Sequence, residues 1–291
     1  LKLLHELLER YPKQKVTLAF PTHDLKDEVY GQFSQDYTGR LFIAKSNKPP
    51  QLPRSYQAQL DVIQQREGRG LLKLYQQALE DKSLSTSRQI EIRQYIQSIY
   101  QLQRAPVQFV THKKLINTPR HGKAITIIDE SIHKELVQFQ RISYRGLRAF
   151  QELMFKHFGK PHFPQHVESL ALQLWLKVMP LINQVFDQME TPFAPLKQDE
   201  KLSLSESEIM LLITHCKIEE PLYALLTCDY FSYDYDPKTK AEFINCITVR
   251  NERFPKGPVL LLSSTANDNF YRTLFPKRPV RTLDLPSLQP K

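Results

Sequence analysis

The chain has 291 residues, 41% of them hydrophobic, and a formal charge of +9 from 40 Lys and Arg against 31 Asp and Glu. That is enough to bury a core of domain size. The 8 Gly and 20 Pro exclude a low-complexity chain, and the basic surplus favours polyanionic partners, nucleic acid or acidic lipid.

Cys216, Cys228 and Cys246 are odd in number and none sits at CxxC spacing. This argues against a disulfide framework and a tetrahedral zinc site. It points to a reducing compartment, cytoplasmic or otherwise intracellular and nucleoid-associated. No run reaches the roughly 18 apolar residues of a membrane span, so no membrane partner is expected. The first residue is Leu1, not Met, which reads as a fragment or a processed piece.

In chain order, 1–10 reads as an amphipathic helix with Leu1, Leu4, Leu7 and Leu8 on one face. Val16-Thr17-Leu18-Ala19-Phe20 is a short apolar strand covered on both faces. A helix follows Pro21-Thr22, and Leu41 to Ala44 is a second strand. Helical patterns run over about 56–65, 71–79 and 87–102, with Ser87 as N-cap. Val107 to Val110 and Ile125 to Ile128 are further strands. From Ser131 to about His215 the pattern is mainly helical, most clearly over 167–189. Tyr230 to Tyr235 and Phe243 to Val249 read as the arms of a hairpin. Val259 to Leu262 is a final buried strand, and 280–285 is one more candidate. Apolar strands alternating with helices predict a mostly parallel sheet flanked by helices, an α/β fold, with ligands at the carboxyl ends of the strands.

Polar residues follow each of these strands: Pro21-Thr22-His23-Asp24, Thr111-His112, Asp129-Glu130-Ser131 and Ser263-Ser264-Thr265. Adjacent acids at a strand end match a Walker B element, in which one carboxylate holds Mg²⁺ and its neighbour orients the attacking water. Acids in the first turn of a helix are the competing reading. Thr22 and Thr111 can each cap a helix, and the exposed N–H groups there can grip a phosphate or simply be capped. Ser263, Ser264 and Thr265 supply hydroxyls beside the acid pair, or form a turn of small polar residues.

Taken together, this set resembles the first RecA-like domain of superfamily-two DExx helicases, and Val110-Thr111-His112 followed by Leu115 resembles the segment before the DExx strand in those of the damage-inducible and excision-repair type. Pro21-Thr22-His23-Asp24-Leu25 is similar to motif Ia, Asp129-Glu130-Ser131-Ile132 to the DExx box and Ser263-Ser264-Thr265 to motif III. The resemblance implies a P-loop NTPase using ATP and Mg²⁺, with Asp129 on Mg²⁺ and Glu130 activating water. It implies contacts of the Ser263 to Thr265 segment with the nucleotide state. It also implies a nucleic-acid grip at Pro21, Thr22, His23, Thr111 and His112. The expected partners are single-stranded nucleic acid, DNA ahead of RNA, and a second motor domain absent after Lys291.

The departures are a missing GxxxxGK[ST] loop, which would lie upstream of Leu1, and Ile132 at the fourth DExx position. His133 comes one residue late and reads as a surface histidine. The expected organisation is 1–133 as the first part of the motor domain, 134–255 as a mainly helical, arch-like insertion with a β-hairpin, and 256–291 as the last part. The family's iron–sulfur module precedes the DExx box, whereas these cysteines follow it, so no cluster is expected.

Within the insertion, Arg141, Arg145 and Arg148 are interleaved with Tyr144, Phe150, Phe155 and Phe158. The pattern suits a single strand by phosphate pairing and base stacking, or an amphipathic helix with packed aromatics. Asp229, Asp234 and Asp236 read as an acidic hairpin tip rather than a metal site. Two functions stand at this point: part of an ATP-driven helicase or translocase, and a non-catalytic nucleic-acid-binding or scaffold module with a degenerate helicase fold.

Overall fold

The computed structural model describes residues 2–36, 42–53, 55–56, 59–60, 63, 70–81, 84–117, 124–159, 165–188, 196–197, 202, 204–216, 218, 220–263 and 266–281. Its central sheet has the order β2-β3-β1-β4-β9, with every pairing parallel. The strands are β1 (Val16–Phe20), β2 (Ile43–Lys45), β3 (Val107–Thr111), β4 (Ile125–Asp129) and β9 (Val259–Leu262).

Every residue of β1 and β3 is buried, as expected of central parallel strands, including Gln108 of β3, whose amide donates to the Leu102 and Ala105 carbonyls. Alternate side chains serve the two faces. Val16, Leu18 and Phe20 join Leu4 and Leu8 of α1 (Lys2–Arg10), Phe33 of α2 (His23–Asp36) and Phe109 in one layer. Ala19, Val110 and Ile128 join Leu115 of α5 (His112–Asn117), Leu136 of α6 (His133–Leu136) and Tyr271 of α11 (Asp268–Leu274) in the other.

Between β2 and β3 lies a helical unit that the sequence reading left inside the motor domain. Its helices α3 (Leu71–Glu80) and α4 (Thr86–Arg104) share a separate core of Leu52, Leu60, Leu74, Tyr75, Ala78, Ile92 and Tyr95. The N-cap of α4 is Ser85, whose hydroxyl accepts from the Arg88 amide, and not Ser87.

After α6 comes the insertion, which is less helical than its pattern suggested. Strand β5 (Val137–Ser143) pairs antiparallel with β8 (Ala241–Val249) along its whole length, from Val137↔Val249 to Ser143↔Phe243. β7 (Tyr230–Asp236) and β6 (Leu196–Lys197) complete that sheet, and β7 and β8 form the expected hairpin. β5 had read as helix because it is short and bounded by helical patterns, and cross-strand pairing overrides that local signal.

Helices α7 (Tyr144–Phe158), α8 (Gln165–Gln188), α9 (Glu206–Cys216) and α10 (Glu220–Thr227) cover one face of this sheet. Their shared core includes Leu147, Phe150, Leu174, Leu212, Phe231, Ile244 and all three cysteines. The insertion's two ends meet at its root, where the Arg250 amide donates to the Leu136 carbonyl at 2.7 Å.

Strand β9 is the outermost strand of the central sheet and not a buried one, with Leu260 and Leu262 38% and 41% exposed. Val280 and Arg281 lie in no strand, and 282–285 fall outside the described residues.

Candidate functional site

The register places the chemistry. Phe20 is level with Thr111, and Asp129 with Leu262. Pro21-Thr22-His23, His112, Asp129-Glu130 and Ser263 therefore emerge at one carboxyl edge. Ser264 and Thr265 lie outside the described residues.

Asp129 is the last residue of β4, and the next helix, α6, begins only at His133. The acid pair thus ends a strand and does not open a helix. Glu130 has φ 64°, a left-handed backbone that a residue with a Cβ adopts only under constraint. The Glu130 amide still donates to the Leu262 carbonyl at 2.7 Å, one rung beyond the Asp129↔Leu262 pair, so β9 holds this residue by its N–H while its backbone turns away from the sheet. Burial, reinforced by the Glu130 charge, pushes the Asp129 carboxyl above its ordinary range.

His112 is buried, and its Nε2–H donates to the Asp129 carbonyl at 2.8 Å. Burial depresses its pKa, so the ring is neutral at neutral pH. The residue expected to meet nucleic acid instead braces the end of the acid-bearing strand. Thr111 is also buried, and its hydroxyl accepts from the Lys114 amide at 3.2 Å, capping α5. Thr22 caps α2 in the same way, accepting from the Leu25 amide at 3.2 Å, but lies exposed on the edge. Pro21 and His23 beside it are half-buried.

Two residues absent from the sequence reading join this edge. Tyr271 of α11 lies 3.1 Å from the Ser131 hydroxyl, and Ser131 lies 2.9 Å from His133 Nδ1. The segment after the acid pair is thereby tied to the helix that follows β9. His133 itself is exposed. The other is Lys26, wholly buried in the first turn of α2. Its spacing from His23 matches two residues on one helical face, a signal the sequence did carry.

A cavity of about 190 Å³ opens at Asp129, walled by Leu3, Leu4, Leu18, Phe20, Val29 and Leu262 among others. Among the described residues, Asp129 is the titratable group that lines it. Two adjacent carboxylates at a strand end, the second on a left-handed backbone, fit the hard-oxygen preference of Mg²⁺.

The arginines of the insertion do not form one basic face. Arg141 lies on β5, paired with Asp234, bonded to Asn245 at 3.2 Å and stacked over Phe243 at 4.7 Å. Arg148, on α7, bonds the Tyr144 hydroxyl at 2.7 Å and stacks over Phe186 at 4.0 Å. Arg145 is exposed. Phe150 and Phe158 are core residues, so packing accounts for half of the aromatic pattern, while Phe155 is exposed against Trp175.

Asp236 accepts from the Lys238 amide at 2.9 Å and from the Thr239 hydroxyl at 2.8 Å, as a turn residue does. Among the described residues no group of three His, Cys, Asp or Glu is placed to hold a metal. No helix among them is long and apolar enough to cross a membrane.

No protein-family model and no curated protein matches the chain. Solved structures similar in fold include "Truncated XPD", at TM-score 0.45 and 11% identity, covering 97% of this chain and 91% of that one. "XPD_Helicase" matches at TM-score 0.43 and 11% identity, covering 91% of this chain and 53% of that one. "Structure of S. tokodaii Xpd4" matches at 0.39 and 13%, covering 90% and 50%. The chain spans about half the length of the latter two. These are likenesses of a size that leaves function to the geometry of the site.

Proposed function

We propose that this chain is part of a nucleotide-driven nucleic-acid helicase or translocase, a RecA-like domain carrying an arch-like insertion. The observation that carries this reading is the acid pair, set at a strand end with Glu130 turned into a left-handed backbone. It shares its edge with the exposed start of α2 at Thr22. Asp129 is the group that would hold Mg²⁺, which supplies charge neutralisation to a phosphoryl transfer. Glu130 is the group that would orient or deprotonate the water. Ser263, Ser264 and Thr265 would report the nucleotide state to a second motor domain. A single strand, DNA ahead of RNA, would run along the edge past Pro21, Thr22 and His23, with Thr111 and His112 shaping the turn beneath it. Arg145 is an exposed insertion arginine that could meet it, as are Arg141 and Arg148, which are also stacked on aromatic rings.

A second reading, a binding or scaffold module without turnover, is favoured by the apolar wall of the cavity at Asp129. Both readings share the nucleic-acid contact, so that contact is tested first. Fluorescence anisotropy with labelled single-stranded DNA and RNA is expected to give weak binding at low salt. The affinity should fall on a log–log plot with a slope of roughly −0.7 per phosphate contacted. Charge reversal at Arg145 and Arg148 should weaken binding if the insertion touches the strand. No binding at the lowest salt would sink both readings.

A further inference from the structure

Lys26 has no exposed side-chain surface, yet it is a lysine. Its Nζ lies 3.0 Å from His23 Nδ1 and 3.1 Å from Asp27 Oδ1, and it donates to the Ser46 carbonyl oxygen. An ammonium has three N–H donors and no acceptor, whereas a carboxylate and a carbonyl only accept. The ammonium hydrogen-bonds the Ser46 carbonyl and His23, while Asp27 Oδ1 is held as an ion pair, and since an ammonium cannot accept, the 3.0 Å contact requires that His23 Nδ1 be bare. The ring proton then sits on Nε2, the nitrogen remote from Lys26.

Nothing in the packing asks for this arrangement. A methionine would fill the space, and burying an ion pair seldom stabilises a fold over an apolar equivalent. Asp27 is shared with Lys45 at 3.0 Å, and Lys45 lies over the Tyr30 ring at 5.2 Å, so α2 is pinned to the end of β2 by charge. The charged groups acting on His23 are Lys26, Asp27, Lys48 and Asp24. Burial and the two lysines keep the ring neutral where a free histidine would begin to charge.

We infer that Lys26 is a positioning residue that fixes His23 as an Nε2–H donor at the strand edge, where it hydrogen-bonds a backbone oxygen of the bound single strand beside Thr22. The identity of that ligand rests on the nucleic-acid reading above, while the tautomer rests on the lysine's geometry alone.

Long-range ¹H–¹⁵N correlation spectra of the full chain test the lock directly. At pH 7.5 the His23 ring should show a protonated Nε2 and an unprotonated Nδ1. In Lys26→Met the ring should become a tautomer mixture whose titration midpoint moves up. A wild-type ring protonated on Nδ1, or on both nitrogens, overturns the proposal even if Lys26→Met does not fold. Anisotropy with a labelled single-stranded oligonucleotide tests the contact. His23→Gln, whose amide can place its N–H near Nε2, should bind within about twofold of wild type. His23→Asn, whose donor lies near Nδ1, should bind about tenfold more weakly, the scale of one hydrogen bond to a charged acceptor. Equal losses in both variants overturn the contact. Failure of the wild type to bind at low salt overturns the nucleic-acid reading and the contact with it. The resonances then still decide whether the lock exists.

Discussion

Glu130 and Asp129 hold conformations and environments that cost stability, and the cost can be read out. A left-handed residue other than glycine is disfavoured by roughly 1 kcal/mol or more. Glu130→Gly should therefore raise stability by about 1 kcal/mol, a rise of roughly 2 °C in Tm for a domain of this size. The Asp129 carboxyl is held above its ordinary range by burial and by Glu130, so its ionised form is disfavoured in the fold. Asp129→Asn should then stabilise the chain at neutral pH. Urea midpoints lower than wild type for both variants would remove the argument that this corner is strained for chemistry.

His112 supplies a pH dependence of definite sign. Its folded pKa is depressed from 6.5 by burial, so the unfolded chain takes up the proton first as pH falls. Stability should be level above about pH 6.5 and decline as pH drops toward the folded value. His23 is depressed too and adds with the same sign. Comparing urea midpoints at pH 7.5 and 5.5 reads the difference. His112→Gln can still donate to the Asp129 carbonyl and should narrow the gap. A gap of unchanged size would absolve His112.

At the scale of elements, the caps show what local pattern can and cannot decide. Helix α9 opens with a reciprocal cap: the Glu208 amide donates to the Ser205 hydroxyl at 3.2 Å, and the Ser205 amide to the Glu208 carboxylate at 2.6 Å. Glu208 also holds Lys177 at 2.6 Å. Ser205→Ala should cost about 1 kcal/mol, measurable as a shift in urea midpoint, and Ser207→Ala next to nothing. For α9 the Ser205-x-x-Glu208 spacing singles out Ser205 as a capping box, whereas for α4 Ser85 and Ser87 look alike and only the turn's geometry selects between them.

The parallel strands were legible because β1, β3 and β4 are short, mainly apolar and β-branched runs followed by polar residues, and the acid pair was legible for that reason. β5 was not, since its partner β8 lies about a hundred residues away, with Arg141 opposite Asn245. Tyr271 meets Ser131 across 140 residues, a contact no local pattern announces. The exposure of β9 escaped for a related reason: four apolar residues in a row read the same in the middle of a sheet as at its edge.

At the scale of the whole molecule, the hydrophobic interior is divided. Among the described residues, the insertion's core contains none of the central sheet, and the sheet's two layers contain none from α7 to α10. Calorimetry should accordingly resolve more than one unfolding transition. Leu212→Ala, at a fully buried site in the insertion, should lower one of them by the 2–5 kcal/mol typical of such truncations. Ile128→Ala, in β4, should lower the other. A single transition displaced equally by both would mean that the two cores melt as one.

The hydrogen bond from Arg250 to Leu136 closes the insertion's stalk within one residue of where it opens, so the detour of the chain begins and ends at a single point. Gain or loss of the whole insertion needs only one in-frame event in a gene, with no strand of the central sheet rerouted. Joining Leu136 to Arg250 through a short glycine linker in place of 137–249 should leave β4 and β9 paired, with their amides still protected from hydrogen exchange. Such a splice treats the insertion as an appendage that selection could fit to or strip from the domain without rebuilding it.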